Sequence, residues 1–353
     1  MKLLIITQKV DKYDFVLGFF HRWIEEFAKH VEKVIVICLE EGRYALPENV
    51  EVYSLGKEKG DGKLQYLIRF YSIIISRKDD YDNVFVHMNQ MYIILGGLFW
   101  KLWNKKIALW YVHRQISLTL RLAEPLVDYI FTSSKESFNI PSTKTYYVGH
   151  GVDSQNFVCS IDNKNSYQTS ILYVGRITPI KNLETLVDTV ALLHKKDPKL
   201  LVECVGEAVT ESDLRYFKQL KLSVQEKHLE EVIRFSGSVN NMEIAKKYCN
   251  STLSVNLSPT GGWDKSVLES IIARCPVFFS NKALVPVFGE YADMFCYEHG
   301  NTQDLADKIT LFLDRRDRDV ILRTLSNDVI RKYDLSVLVR TIYCQLHDGR
   351  NKK

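Results

Sequence analysis

Residues 258–276 read SPTGGWDKSVLESIIARCP, and the reading of this stretch decides the fold. It follows TLSVNLS (252–258) and runs into PVFFS (276–280), two short β-rich apolar runs. Between them the pattern predicts a helix that starts after Asp264, a residue type suited to capping it. Strand, helix and strand in this order make a βαβ unit, which implies a parallel sheet. The pair Gly261-Gly262 lets backbone come close to a ligand, and Glu269 lies five residues beyond Asp264. Taken alone, Asp264 reads as readily as a plain cap and Glu269 as an exposed helical carboxylate.

The same rhythm extends outward in both directions. Upstream of it stand SILYVGR (170–176), a helix from about Asn182 to Lys196, LLVECVG (200–206), a helix near 211–225, VIRFSG (232–237) and the MEIAKKYC helix (242–249); downstream lies a helix over 302–313. The first half alternates likewise: KLLIIT (2–7), FFHRWIEEFAKH (19–30), KVIVICL (33–39), YLIRFYSIIISR (66–77), NVFVHM (83–88), a further helix, KIALWYV (106–112) and YIFTSS (129–134). The expected class is α/β, with two Rossmann-like parallel domains facing a central cleft. Their expected bounds are 1–158, a polar linker over 159–170, 171–330, and a C-terminal segment 331–353 whose helix, 336–346, crosses back to the first domain.

Composition agrees with two ordinary domains. The chain has 353 residues, more than one hydrophobic core usually serves. With 47 Lys+Arg against 43 Asp+Glu the net charge is only +4, so nucleic acid is not an expected partner. The seven cysteines are odd in number and scattered, with no CxxC pair, which predicts free thiols, no zinc site and a cytoplasmic location. MKLLIIT reads as a first strand and not as a signal peptide. MYIILGGLFW (91–100) is about half of what a membrane span needs, and reads as a buried or interfacial helix.

In open α/β sheets ligands bind beyond the carboxyl ends of the strands, so polar clusters placed there are the candidates. SILYVG ends in Gly175-Arg176, and Lys181 follows before a helix with Asn182 at its start. Two cations beside a helix N-terminus suit a diphosphate, because unpaired N–H groups and the helix dipole add to their charge. Two ordinary surface cations on a solvated loop explain the same residues. Asp80-Tyr81-Asp82 has the form of a metal-binding carboxylate pair, but it precedes the strand NVFVH and reads as a turn. No GxGxxG follows the first strand, which argues against a nicotinamide oxidoreductase.

Together, GRITPIKNLETLV, the strand ending in Val205-Gly206, FSGSV and SPTGGWDKSVLESIIARCPV, with WYVH and VGHGVD in the first half, resemble family 4 of the retaining glycosyltransferases, which have the GT-B fold. The resemblance implies that Arg176 and Lys181 bind the donor diphosphate, that Glu269 holds the nucleotide ribose, and that His113 contacts the donor sugar. His21, His87 and His150 compete with His113, and His150 fits the turn joining the domains, with Gly149 and Gly151 supplying flexibility. Arg176, Lys181, His113 and Glu269 are thus the expected catalytic set. Gly18, Gly175, Gly206, Gly261, Gly262, Trp263, Asp264, Lys265, Val267 and Leu268 are the expected donor-binding set. Gly261 stands where many members carry a glutamate directed at the sugar, and Asp264-Lys265 resembles a variant of that pattern.

The implied reaction moves a sugar from a UDP- or GDP-linked donor to a hydroxyl of a glycan or lipid-linked acceptor, in envelope polysaccharide, glycolipid or glycan assembly. It needs no cofactor and no metal, because Arg176 and Lys181 neutralise the leaving diphosphate, and domain closure limits hydrolysis. Cations of the first half (Lys57, Lys59, Lys63, Arg69, Arg77, Lys78, Lys101, Lys105, Lys106) fit peripheral contact with the inner face of the cell membrane, and equally a solvated charged surface. Two other readings share the fold: a non-catalytic nucleotide-sugar-binding protein, and a sugar-nucleotide epimerase.

Overall fold

The structure is a computed structural model that describes residues 1–159, 168–259 and 261–348. The chain divides into two compact units, one made of Met1–Gly151 with the stretch that begins at Leu335, the other of Val152–Asp334.

In the first unit the elements run β1 (Lys2–Val10), α1 (Phe19–Ala28), β2 (Lys33–Glu41), β3 (Val50–Ser54), α2 (Lys63–Ser76), β4 (Asn83–His87), α3 (Met91–Leu102), β5 (Lys106–Trp110), α4 (Leu118–Ala123), β6 (Tyr129–Thr132) and β7 (Thr145–Tyr147). The second unit continues with α5 (Ser154–Phe157), β8 (Ser170–Val174), α6 (Leu183–His194), β9 (Leu201–Val205), α7 (Glu211–Glu226), β10 (Ile233–Gly237), α8 (Asn241–Asn250), β11 (Leu253–Asn256), α9 (Lys265–Ile272) and β12 (Val277–Phe279). It ends with α10 (Val285–Phe288), α11 (Ala292–Phe295), α12 (Thr302–Leu313) and α13 (Arg318–Tyr333), after which α14 (Leu335–Asp348) rejoins the first unit.

Both sheets are parallel, with orders β3-β2-β1-β4-β5-β6-β7 and β10-β9-β8-β11-β12. β1 shows why. Leu3 and Ile5 face Phe20, Trp23 and Phe27 of α1 and Leu338, Val339 and Ile342 of α14. Leu4 and Ile6 face the other way, toward Phe70 and Ile74 of α2 and Ile93 and Trp100 of α3. A strand covered by helices on both faces must be apolar at every position, so it reads as a continuous run and not as an alternation.

Several expectations need correction. Residues 152–158 pack with the second unit: the Val152 N–H donates to the Tyr333 carbonyl at 3.0 Å, and the Ser154 hydroxyl donates to Asp334. The return to the first unit falls at Leu335, because α13 ends at Tyr333 and Asp334 is held by those contacts. Gly151 is not a source of flexibility: a Cβ there would come within 2.7 Å of Leu338 and 2.9 Å of Leu335, so the residue is small because α14 packs against it. Gly149, at φ +74°, takes a conformation that favours glycine. Of the expected linker, 160–167 lie outside the described residues.

The cysteines are not all free. Cys159 and Cys249 form a disulfide across 90 residues of sequence, joining the segment after α5 to the end of α8. The scattered spacing hid this pair because it is made by packing and not by a local motif. Cys38, Cys204, Cys275, Cys296 and Cys344 are not disulfide-bonded.

Candidate functional site

The C-terminal edge of the second sheet gathers most of the expected residues. β8 stops at Val174, and Gly175 and Gly206 then bring the ends of β8 and β9 together: a Cβ on Gly206 would lie 1.9 Å from the Gly175 carbonyl oxygen. Gly206 sits at φ +139°, a region open to glycine, so both the space and the dihedral exclude any other residue. This tight join aims Arg176 outward. Its guanidinium is about half exposed and lies 3.7 Å from the Asp213 carboxylate, a loose tether. Asp213 itself is buried at the first turn of α7, where it completes a reciprocal cap with Thr210. A hydrogen bond from the Thr178 hydroxyl, with further bonds from Thr210, holds its carboxyl down to about 2.

Lys181, just before α6, is held by an ion pair. Its ammonium donates to both carboxylate oxygens of Asp264, at 2.8 Å each, and to the Ser258 hydroxyl at 2.9 Å. An ammonium has three donors, so all of them are engaged. Asp264 also accepts from the Asn256 amide at 2.7 Å and from the Ser258 hydroxyl at 2.8 Å. Burial by itself raises the Asp264 pKa, but the Lys181 charge and these hydrogen bonds outweigh it and hold the carboxyl below its ordinary value.

This arrangement corrects two expectations. Asp264 stands at the N-cap of α9, yet its side chain makes no cap bond, because the carboxylate turns toward Lys181. Asn182 likewise precedes α6 without capping it, in a left-handed conformation with its amide donating to Thr185 Oγ1 at 2.8 Å.

On α9, Lys265 and Glu269 pair across one turn at 3.1 Å, with the Glu269 side chain almost wholly buried. Glu269 is therefore not the exposed helical carboxylate that the local pattern allowed. The Val267 and Leu268 side chains point into the core, and the Val267 N–H bonds the Asp264 carbonyl. Trp263 is partly buried: its indole N–H donates to the Ala283 carbonyl at 2.9 Å and its ring meets Tyr333 edge-on at 5.1 Å. Gly261, at φ +131°, and Gly262 present carbonyls to the Asn281 amide at 3.4 and 3.3 Å.

Asn256, Ser258, Asp213 and Thr178 escaped the sequence reading. A signal for the first two was present, since polar residues at the end of a central strand are out of place in a buried sheet.

In the first unit, Gly18 is buried at the N-cap of α1, where a Cβ would meet the Asp14 carbonyl oxygen at 2.4 Å. The preceding turn is organised by Asp14, which accepts from the Val16 and Leu17 N–H groups and pairs with Lys9 at 2.9 Å. His113 is exposed after β5, with its Nδ1 accepting from the Gln115 N–H at 3.1 Å. Its rivals are occupied otherwise. His87 is buried, stacked on Phe20 at 4.0 Å, and burial pushes its pKa down to about 3. His21 is buried and lowered by that burial, and His150 packs against Trp110 at 6.3 Å.

Two parallel α/β domains with this polar edge define a protein of the GT-B fold. Residues 160–324 match the family described as glycosyl transferases group 1, and residues 13–113 match glycosyl transferase 4-like proteins. These matches support assignment to the glycosyltransferases at the level of activity class. No curated relative matches the sequence. Among solved structures, the chain is similar to Anabaena HepE in complex with UDP, at 16% identity and TM-score 0.78 over 99% of this chain and 100% of that one. HepE in complex with UDP-glucose gives 16% identity and 0.75 over 100% of both chains. Sucrose-phosphate synthase from Thermosynechococcus elongatus gives 15% identity and 0.74, covering 99% of this chain and 100% of that one.

Proposed function

We propose that the protein is a retaining glycosyltransferase that moves a sugar from a nucleoside diphosphate donor, UDP- or GDP-linked, to a hydroxyl of a glycan or lipid-linked acceptor. One observation carries this reading: Arg176, Lys181, Asp264, Lys265 and Glu269 converge at the carboxyl edge of one parallel sheet, where open α/β folds bind ligands. The UDP and UDP-glucose complexes of the similar HepE structures favour the uridine donor.

Arg176, half exposed and only loosely tethered, is the cation free to meet a diphosphate. Lys181 joins it by exchanging a bond to Asp264 or Ser258 for a phosphate oxygen, and Asp264 keeps its ammonium in place beforehand. Glu269, fixed by Lys265, is assigned to the ribose hydroxyls. From the first domain, His113 and Gly18 are assigned to the donor on resemblance alone. In the reaction the bond from the anomeric carbon to the diphosphate oxygen breaks, the acceptor oxygen bonds that carbon on the same face, and the acceptor proton passes to the departing diphosphate. Charge development on the diphosphate is met by Arg176 and Lys181, so no metal is required.

We further assign the protein to envelope polysaccharide, glycolipid or glycan assembly in the cytoplasm, at the inner face of the membrane. Incubation with a panel of nucleotide sugars, with EDTA present and no acceptor, tests the donor reading through slow release of the nucleotide. Release that Arg176→Ala abolishes supports it. Tight binding with no release points to the non-catalytic reading, and interconversion of sugar isomers to an epimerase.

A further inference from the structure

One face of the first unit breaks the usual rule for a water-facing surface. Leu64 and Ile68 of α2, Leu98 and Leu102 of α3, and Leu118 and Leu122 of α4 are each between 59% and 81% exposed. Single exposed leucines need no explanation, but here three helices that cover the same side of one sheet all turn large apolar residues outward. On α2 the exposed residues recur at helical spacing, Leu64, Ile68 and Ile75, while Phe70 and Ile74 of the same helix are buried. The stripes of α2 and α3 are joined: the Tyr71 hydroxyl donates to the Leu95 carbonyl at 3.1 Å, and its ring meets Phe99 at 5.6 Å. α4 continues the surface, with the Gln90 amide that precedes α3 donating to Ser117 and Thr119 at 3.1 and 2.8 Å.

Charge on these helices is one-sided. Lys63, Arg69, Lys101 and Arg121 are their charged residues, and none of the three contains a carboxylate. Of the acids beyond the helix ends, Asp61 is paired with Arg69, Asp80 with Arg77, Glu124 with Lys144 and Asp128 with Lys101, while Asp79 after α2 is exposed. Lys63 and Arg121 have no ion pair among the described residues. An apolar face rimmed by unanswered cations fits a surface that offers acyl chains beneath negative headgroups. A second copy of this chain fits less well, since joining two such faces brings Lys63 and Arg121 of both copies together on helices that carry no carboxylate to answer them. No helix among the described residues is long and apolar enough to cross a membrane, so contact by this face is peripheral.

We infer that the face formed by α2, α3 and α4 docks the protein on an anionic lipid bilayer, with the leucines entering the headgroup boundary and Lys63 and Arg121 meeting lipid phosphates. This deepens the membrane contact proposed above and rests on it for location, while the donor chemistry is tested separately.

The full chain is sedimented with vesicles of phosphatidylcholine containing about 30% phosphatidylglycerol, and with phosphatidylcholine alone. Binding is expected to the first, at least about fivefold tighter than to the second. The double variant Leu98→Glu, Leu102→Glu is expected to lose at least about tenfold of that binding while releasing nucleotide from a donor sugar in solution at the native rate. Lys63→Glu with Arg121→Glu is expected to abolish the preference for the anionic vesicles. The inference is overturned by a native protein that stays in the supernatant with both vesicles, or by a Leu98, Leu102 variant that sediments as before. It is also overturned by a native dimer in the ultracentrifuge that the same variant converts to monomer. Loss of nucleotide release in the native protein, with vesicle binding intact, sinks the donor reading and leaves this one standing.

Discussion

The two units depart from the usual distribution of polarity in opposite directions. At the sheet edge of the second unit, charges are drawn inward: the Glu269 side chain is almost wholly buried, Asp213 is buried, and Lys181 and Asp264 are mostly shielded. On the outer helices of the first unit, leucines are turned outward. Both departures cost stability, since a shielded charge must be answered by partners and an exposed leucine forgoes burial worth about 1.5–3 kcal/mol. At this edge the Lys181–Asp264 pair is answered completely, with a partner for each carboxylate oxygen and ammonium hydrogen. The first unit leaves its leucines unanswered within the described chain, which is why a ligand inside the fold explains one region and an external surface the other.

Substitutions test this contrast at graded strength. Arg176→Ala removes the loosely held cation and is expected to cut nucleotide release by about 100-fold, the scale of losing one preorganised charge in an active site. A rate within threefold of native would show the polar edge to be structural. Cys159→Ser opens the disulfide and is expected to destabilise the second unit by about 2–4 kcal/mol, read as a lower thermal midpoint that reductant reproduces in the native protein. Indifference of the melting curve to reductant would mean the bond contributes nothing.

Asp264→Asn leaves the Lys181 ammonium short of its counter-charge, with an expected loss of about 1–3 kcal/mol and weaker retention of a UDP-sugar in calorimetry. If Lys181 is held ready by Asp264, affinity falls along with stability; if the pair is only structural, stability alone falls. Asp213 supplies a pH test. Its folded pKa of about 2 lies below the unfolded value, so its contribution is present above pH 4 and is lost as pH falls toward 2. Urea midpoints should therefore drop between pH 4.5 and 2.5, and drop less in Asp213→Asn. The smallest effect belongs to the outer face: Leu98→Glu should shift the melting midpoint by no more than about 0.5 kcal/mol equivalent, because the residue is already in water.

Much of this was legible in the chain. The βαβ unit around 258–276 and the rule that sites follow strands placed Arg176, Lys181, Asp264 and Glu269 in one domain at one edge. Roles within that edge were less legible. The packing of the Trp263 ring against Tyr333 and of the Val267 side chain in the core was not visible in the residue types alone. The expectation that every cysteine is a free thiol also fell with the Cys159–Cys249 bond, which packing makes across 90 residues of sequence.

What the sequence determined by itself was periodic and local: the alternation of strands and helices, the continuous apolar runs of parallel strands, and the glycines at strand ends. These follow from backbone geometry within a few residues. Only the tertiary structure decided the pairings across long separations, Lys181 with Asp264 and Cys159 with Cys249, because packing and not spacing brings them together. It also decided which stripe of α2 faces water. That helix carries two apolar stripes, and docking on the sheet buries the one with Phe70 and Ile74 while leaving Leu64 and Ile68 outside.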